Sequence, residues 1–143
     1  MQKNTFYRFV LAALIVLASS VVSAGEAMHR LVIQVSSDNP KEQAIALNNA
    51  VNVQKYYGID NVEIEVVAYG PGLSLLTRQS SQKDRVASLA LQNMNFSACG
   101  NTIKKVAQKT GKMPELIAGV NVVPAGVVRI MELQEQGWSY IRP

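Results

Sequence analysis

Leu31-Val32-Ile33-Gln34-Val35 is a short, nearly continuous run of apolar and β-branched residues, the pattern of a central strand buried on both faces. The segments next in the chain decide the architecture. After a polar loop, Asn39 is placed to cap a helix, Pro40 suits the first helical position, and Glu42 falls where a capping-box acid reaches back. Ala44, Leu47, Ala50, Val51 and Val53 form an apolar stripe, and Gly58 ends the helix after Lys55. Val62-Glu63-Ile64-Glu65-Val66-Val67-Ala68-Tyr69 then alternates as a second strand with one partly wet face.

The alternation continues to the end of the chain. Gly70-Pro71-Gly72 breaks the second strand, and Leu73 to Leu76 suits one helical turn. Ser81 with Asp84 resembles another helix start, with Val86, Leu89, Ala90 and Met94 on the core face. Phe96 to Ala98 is a short strand leading into Cys99. Gly100 or Asn101 opens a helix with Ile103, Val106 and Ala107 inward, and Gly111 stops it. A further short turn is expected over 113–118, after Pro114. Val120-Asn121-Val122-Val123 reads as a fourth strand. Residues 126–136 read as a helix with Val127, Ile130, Met131 and Leu133 inward, and Trp138 to Ile141 as the last strand. Strands alternating with helices imply right-handed crossovers. The expected fold is therefore α/β, a small flavodoxin-like three-layer sandwich with a mainly parallel five-stranded sheet.

The ends bound the compartment. Lys3 and Arg8 precede an unbroken apolar run from Phe9 to Ala18, and Val22-Ser23-Ala24 offers small residues to a signal peptidase. The run is shorter than the roughly 20 residues of a membrane span. Residues 1–24 are thus expected to be a signal peptide cleaved after Ala24, leaving a periplasmic chain of residues 25–143 as one domain. Without Lys3 and Arg8 the balance is twelve basic to ten acidic residues, and no basic run exceeds Lys104-Lys105. That distribution gives nucleic-acid binding no support. One cysteine makes no internal disulfide, so the apolar core must hold the fold.

Chemistry is expected beyond the carboxyl ends of the strands. Cys99 is the only cysteine, and it sits where a strand hands over to a helix, near first-turn N–H groups that favour a thiolate. A lone cysteine is also often a small buried hydrophobe. Gly70-Pro71-Gly72 lies on the same edge, but it lacks the later glycine of a dinucleotide fingerprint and the Gly-Lys-Ser/Thr ending of a P-loop. His29, the only histidine, begins a strand and so belongs to the opposite edge. No metal site is expected without a second histidine or cysteine. Lys104 and Lys105 read as a solvated helix face.

Four segments together resemble the DsrE/DsrF-like proteins, including the YchN-like sulfur-relay type: Val67 to Leu73, Phe96 to Thr102, Val123-Pro124-Ala125-Gly126-Val127, and Leu133 to Ile141. The resemblance covers Arg30 to Pro143. It implies a small α/β protein that assembles into trimers or hexamers and, in sulfur-relay members, carries sulfur as a persulfide on a cysteine after a central strand. Cys99 is the one position that matches that cysteine, with Gly70, Pro71, Gly72, Gly100 and Asn101 as binding residues around it. Sulfur donor and acceptor proteins are the implied partners, in a sulfurtransferase-like exchange that requires no cofactor. The alternative is a non-catalytic oligomeric module that binds a small ligand or partner, with Cys99 merely packed.

Overall fold

The computed structural model describes residues 28–143; the expected signal peptide lies outside the described residues. The elements run β1 (His29–Val35), α1 (Pro40–Tyr57), β2 (Val62–Ala68), a 3-10 helix (Gly70–Leu76), α2 (Lys83–Ala90), β3 (Met94–Cys99), α3 (Gly100–Thr110), β4 (Val120–Val123), α4 (Gly126–Glu135) and β5 (Ser139–Ile141). The five strands form one sheet in the order β4-β3-β2-β1-β5, and every pairing is parallel.

That order has a physical consequence. Three successive crossovers step from β1 out to β4 in one direction, so right-handedness stacks α1, α2 and α3 on one face. The return from β4 to β5 runs the other way and leaves α4 alone on the opposite face. The core divides accordingly. Ile33, Ile64, Val66 and Phe96 pack with Leu47, Val86, Leu89 and Ile103 on the three-helix face. Only Val32, Val67, Ile130 and Leu133 form the apolar cluster under α4, with Tyr69 and Trp138 against it. Phe96 is fully buried, a burial that contributes about 2–3 kcal/mol.

Several local expectations are corrected. Asn39 does cap α1, its Oδ1 accepting from the Lys41 N–H at 2.9 Å, but the Asn39 N–H goes to Ser37 Oγ at 3.1 Å and not to Glu42. Gln43, absent from the expected stripe, is buried because its amide donates to the Ser37 carbonyl and to Ser74 Oγ, at 3.0 and 2.9 Å. Met94 belongs to β3, since Asn93 turns left-handed at φ 62° and ends the preceding segment. Residues 113–118 form no helical turn; Leu116 instead pairs with Thr77 in an isolated antiparallel bridge. Val127 and Met131 face outward, 56% and 55% exposed, because a single helix on a narrow face buries only Ile130 and Leu133 deeply. Finally, Glu65 is 3% exposed, so the face of β2 expected to be wet is dry there.

Candidate functional site at Cys99

Cys99 ends β3 at the carboxyl edge of the sheet, where the register pairs it with Val123 of β4. It is also the N-cap of α3, and Ala125 is the N-cap of α4. Neither residue caps its helix through a side-chain hydrogen bond, in contrast to Asn39 on α1. The first turns of both helices therefore keep donors without intrahelical partners, and both turns lie against the same sulfur.

Two glycines allow the approach. A Cβ on Gly126 would come within 3.1 Å of Tyr69 Cβ and 3.3 Å of Cys99 Cβ. A Cβ on Gly100 would meet the Val123 carbonyl oxygen at 3.0 Å. Asn101 N–H ties the two helix starts together by donating to the Pro124 carbonyl at 3.2 Å.

Burial is the largest single influence on the thiol and pushes its pKa up, yet the net shift is downward. The Thr102 hydroxyl outweighs any other donor, followed by the N–H groups of Gly126, Thr102 and Asn101. Hydrogen bonds to a charged acceptor are each stronger than those to a neutral one, and here their sum exceeds the desolvation penalty. Thr102 is itself oriented. Its Oγ1 accepts from the Gly70 N–H at 2.9 Å, which leaves the hydroxyl hydrogen for the sulfur. Gly70 adopts φ 55°, the left-handed region, in making that contact.

The folded thiol titrates below the unfolded one, so between the two values the unfolded chain binds more protons. The resulting stabilisation is present above the unfolded value and is lost as pH falls through the folded one. Thr102→Val should raise the midpoint of Cys99 alkylation, because it removes the strongest donor at nearly constant volume. Alkylation rates measured across the pH range check this, and an unchanged midpoint would contradict the role of Thr102.

Among the other sequence-expected residues, Gly70 and Asn101 line an open cleft of about 460 Å³ with Tyr69, Thr102, Lys104, Lys105 and Gln108. Cys99 is 5% exposed and does not line the cleft, although two of its donors do. It belongs to neither apolar cluster. Gly72 has a packing role, since a Cβ there would overlap the Val35 carbonyl. The Pro71 carbonyl accepts from Ser74 Oγ at 2.9 Å. Lys104 and Lys105 are exposed. His29 lies at the far edge, stacked on Tyr57 with centroids 3.7 Å apart. Strand order reverses between β1 and β5, but the crevice there holds only about 10 Å³, room for no more than a water.

Sequence reading missed Thr102, Gly126, Glu65 and Arg129. Thr102 sits three residues past Cys99 in a helix first turn, a legible signal. Gly126, Glu65 and Arg129 come from distant segments and carry none. Glu65 Oε1 accepts from Ser97 Oγ at 2.7 Å and Arg129 Nε at 2.9 Å, and Glu65 Oε2 from Arg129 Nη2 at 2.7 Å.

The fold and this site can be compared with known proteins. MTH1491, a protein of unknown function from Methanobacterium thermoautotrophicum, is 34% identical, with 80% of this chain and 99% of that one covered at a TM-score of 0.73. The ychN protein from E. coli is 14% identical, with 81% and 100% covered at a TM-score of 0.65, a likeness of fold. BT1422, a conserved protein of unknown function from Bacteroides thetaiotaomicron, is 15% identical, with 84% and 99% covered at 0.59. No curated protein matches the chain. The family profile matches residues 29–143, from the first strand to the last residue, and the chain belongs to the DsrE/DsrF-like family.

Proposed function

We propose that Cys99 carries sulfur as a persulfide in a relay between partner proteins. One observation carries the reading: two helix N-termini without side-chain caps converge on the one thiol of the chain. Donors so arranged stabilise negative sulfur, whether thiolate or persulfide anion. In the forward step the Cys99 thiolate attacks the outer sulfur of a donor persulfide. The new S–S bond forms as the donor's own S–S bond breaks, and the donor leaves as a thiolate. An acceptor thiolate then attacks the outer sulfur on Cys99, takes it, and restores the Cys99 thiolate. Neither step changes the overall count of electrons, and no cofactor enters. Gly70 and Asn101 border the cleft by which a donor approaches. Mass spectrometry of polysulfide-treated protein tests the reading, with whole sulfur atoms on Cys99 as the expected product.

A second reading, a binding module with a packed cysteine, is favoured by the 5% exposure of Cys99. It is separated from the first by whether the native thiol reacts before the protein unfolds.

The relay is proposed to work in the periplasm, after cleavage following Ala24, as a trimer or hexamer. Support for export comes from the amino-terminal sequence pattern. Among the described residues no helix is long and apolar enough to cross a membrane. Support for assembly comes from the lone helix on the α4 face, which leaves Val127, Val128 and Met131 about half exposed. A groove of about 340 Å³ runs between Val123-Pro124-Ala125 and Val128 of the same helix. Light scattering of the chain from Gly25 onward should give several times the monomer mass, and Met131→Lys should lower it. A monomer at micromolar concentration would remove the assembly.

A further inference from the structure

Beside Cys99, one buried charged group plays no part in the persulfide exchange. Glu65 on β2 is 3% exposed and takes both prongs of the Arg129 guanidinium, at 2.9 and 2.7 Å. Ser97 Oγ holds the same carboxylate at 2.7 Å, and Ser97 lies two residues before Cys99 on the same face of β3. Arg129 stands in the first turn of α4, where its own N–H donates to the Ala125 carbonyl at 3.0 Å. One planar fork thus joins the start of α4 to the sheet beneath it. The apolar cluster under this helix is small, so the fork is a large part of what sets its height and rotation.

We infer that Glu65 and Arg129 are positioning residues: they clamp α4 so that the Gly126 N–H faces the Cys99 sulfur. The inference deepens the carrier reading and rests on it for its use. Without the fork, α4 is held by its apolar seam and by the Asn101–Pro124 hydrogen bond just before its start, and it moves against the sheet. The steric limit at Gly126, already close to Tyr69 and Cys99, means that small displacements separate the N–H from the sulfur.

Charged groups around Cys99 come from each packed element. Glu65 belongs to β2, Lys104 and Lys105 to α3, and Arg129 and Glu132 to α4; the titratable Tyr69 lies just past β2, and β4 and the 3-10 helix carry none. Arg129 Nη1 also lies 3.8 Å from Glu132. A clamp and a simple charge effect therefore need separating, and Arg129→Lys does so. Lysine keeps the positive charge but loses the two-point fork.

The experiment tracks the NMR shift of the Cys99 Cβ and of the Gly126 amide through a pH titration of the full folded chain. In the wild type both should move with one midpoint. In Arg129→Lys the Cys99 midpoint should rise, cutting the thiolate fraction at neutral pH about threefold, and the Gly126 amide should lose its response. The triple variant Glu65→Leu/Ser97→Ala/Arg129→Met replaces the network by apolar groups without leaving a lone charge, and should show the same rise while keeping its fold. An unchanged midpoint in folded Arg129→Lys, or a Gly126 amide that still follows Cys99, overturns the clamp. No reading depends on sulfur transfer, so the carrier function can fail while the clamp stands, and the reverse.

Discussion

Cys99→Ser is expected to fold and assemble as the wild type does and to accept no sulfur. The swap is small, and serine still fits between Gly126 and Thr102. Its hydroxyl does not ionise near neutral pH, so the donors that hold a thiolate have no anion to hold. Wild-type protein treated with polysulfide should gain whole sulfur atoms, which a thiol reductant removes; the variant should gain none. The native wild type should also alkylate at lower pH than an unperturbed thiol does, because its pKa is lowered. Resistance of native Cys99 to both reagents until denaturation would leave the packed-cysteine reading in place. The 5% exposure of the residue makes this a demanding test.

The largest stability effect is expected from Arg129→Ala. Glu65 then keeps only the Ser97 hydroxyl as a donor while its carboxylate stays inside the protein. Breaking a buried pair from one side costs about 3–5 kcal/mol, because an uncompensated charge is left behind. The Arg129 side chain is 32% exposed, so water reaches that end of the pair and the low end of the range applies, about 3 kcal/mol. Against a typical total of about 5–15 kcal/mol, this is a large fraction. Urea denaturation measures it directly, and a loss below about 1 kcal/mol would show that water replaces the guanidinium adequately. The surface pair Arg78–Glu115, at 3.2 Å but with both side chains more than half exposed, serves as a control and should matter little.

Much of this protein was legible in local pattern. The apolar run 31–35, the Asn39-Pro40 helix start, and glycines 58 and 111 mark elements whose type depends on nearby residues. Helix capping and strand alternation act over a few positions, and the sequence carries them in plain order. The same logic placed Cys99 between a strand and a helix on the carboxyl edge of a parallel sheet, and His29 on the other edge.

What local pattern could not supply was decided by which segments meet. Glu65 alternates with apolar neighbours as a solvent-facing residue would, and it is buried because Arg129, 64 positions later, arrives above it. Val127 and Met131 fit an inward stripe on α4, yet the return crossover places that helix alone on a narrow face that buries only part of it. The surroundings of Cys99 were half visible. Thr102 comes from its own helix, whereas Gly126 reaches the sulfur through the sheet order that folds β4 and α4 back over β3. Sequence by itself determined the elements and the place of the chain's one thiol between a strand and a helix, because propensity and capping are local. Only the tertiary structure decided what holds that sulfur negative, because long-range hydrogen bonds and ion pairs depend on packing between distant segments.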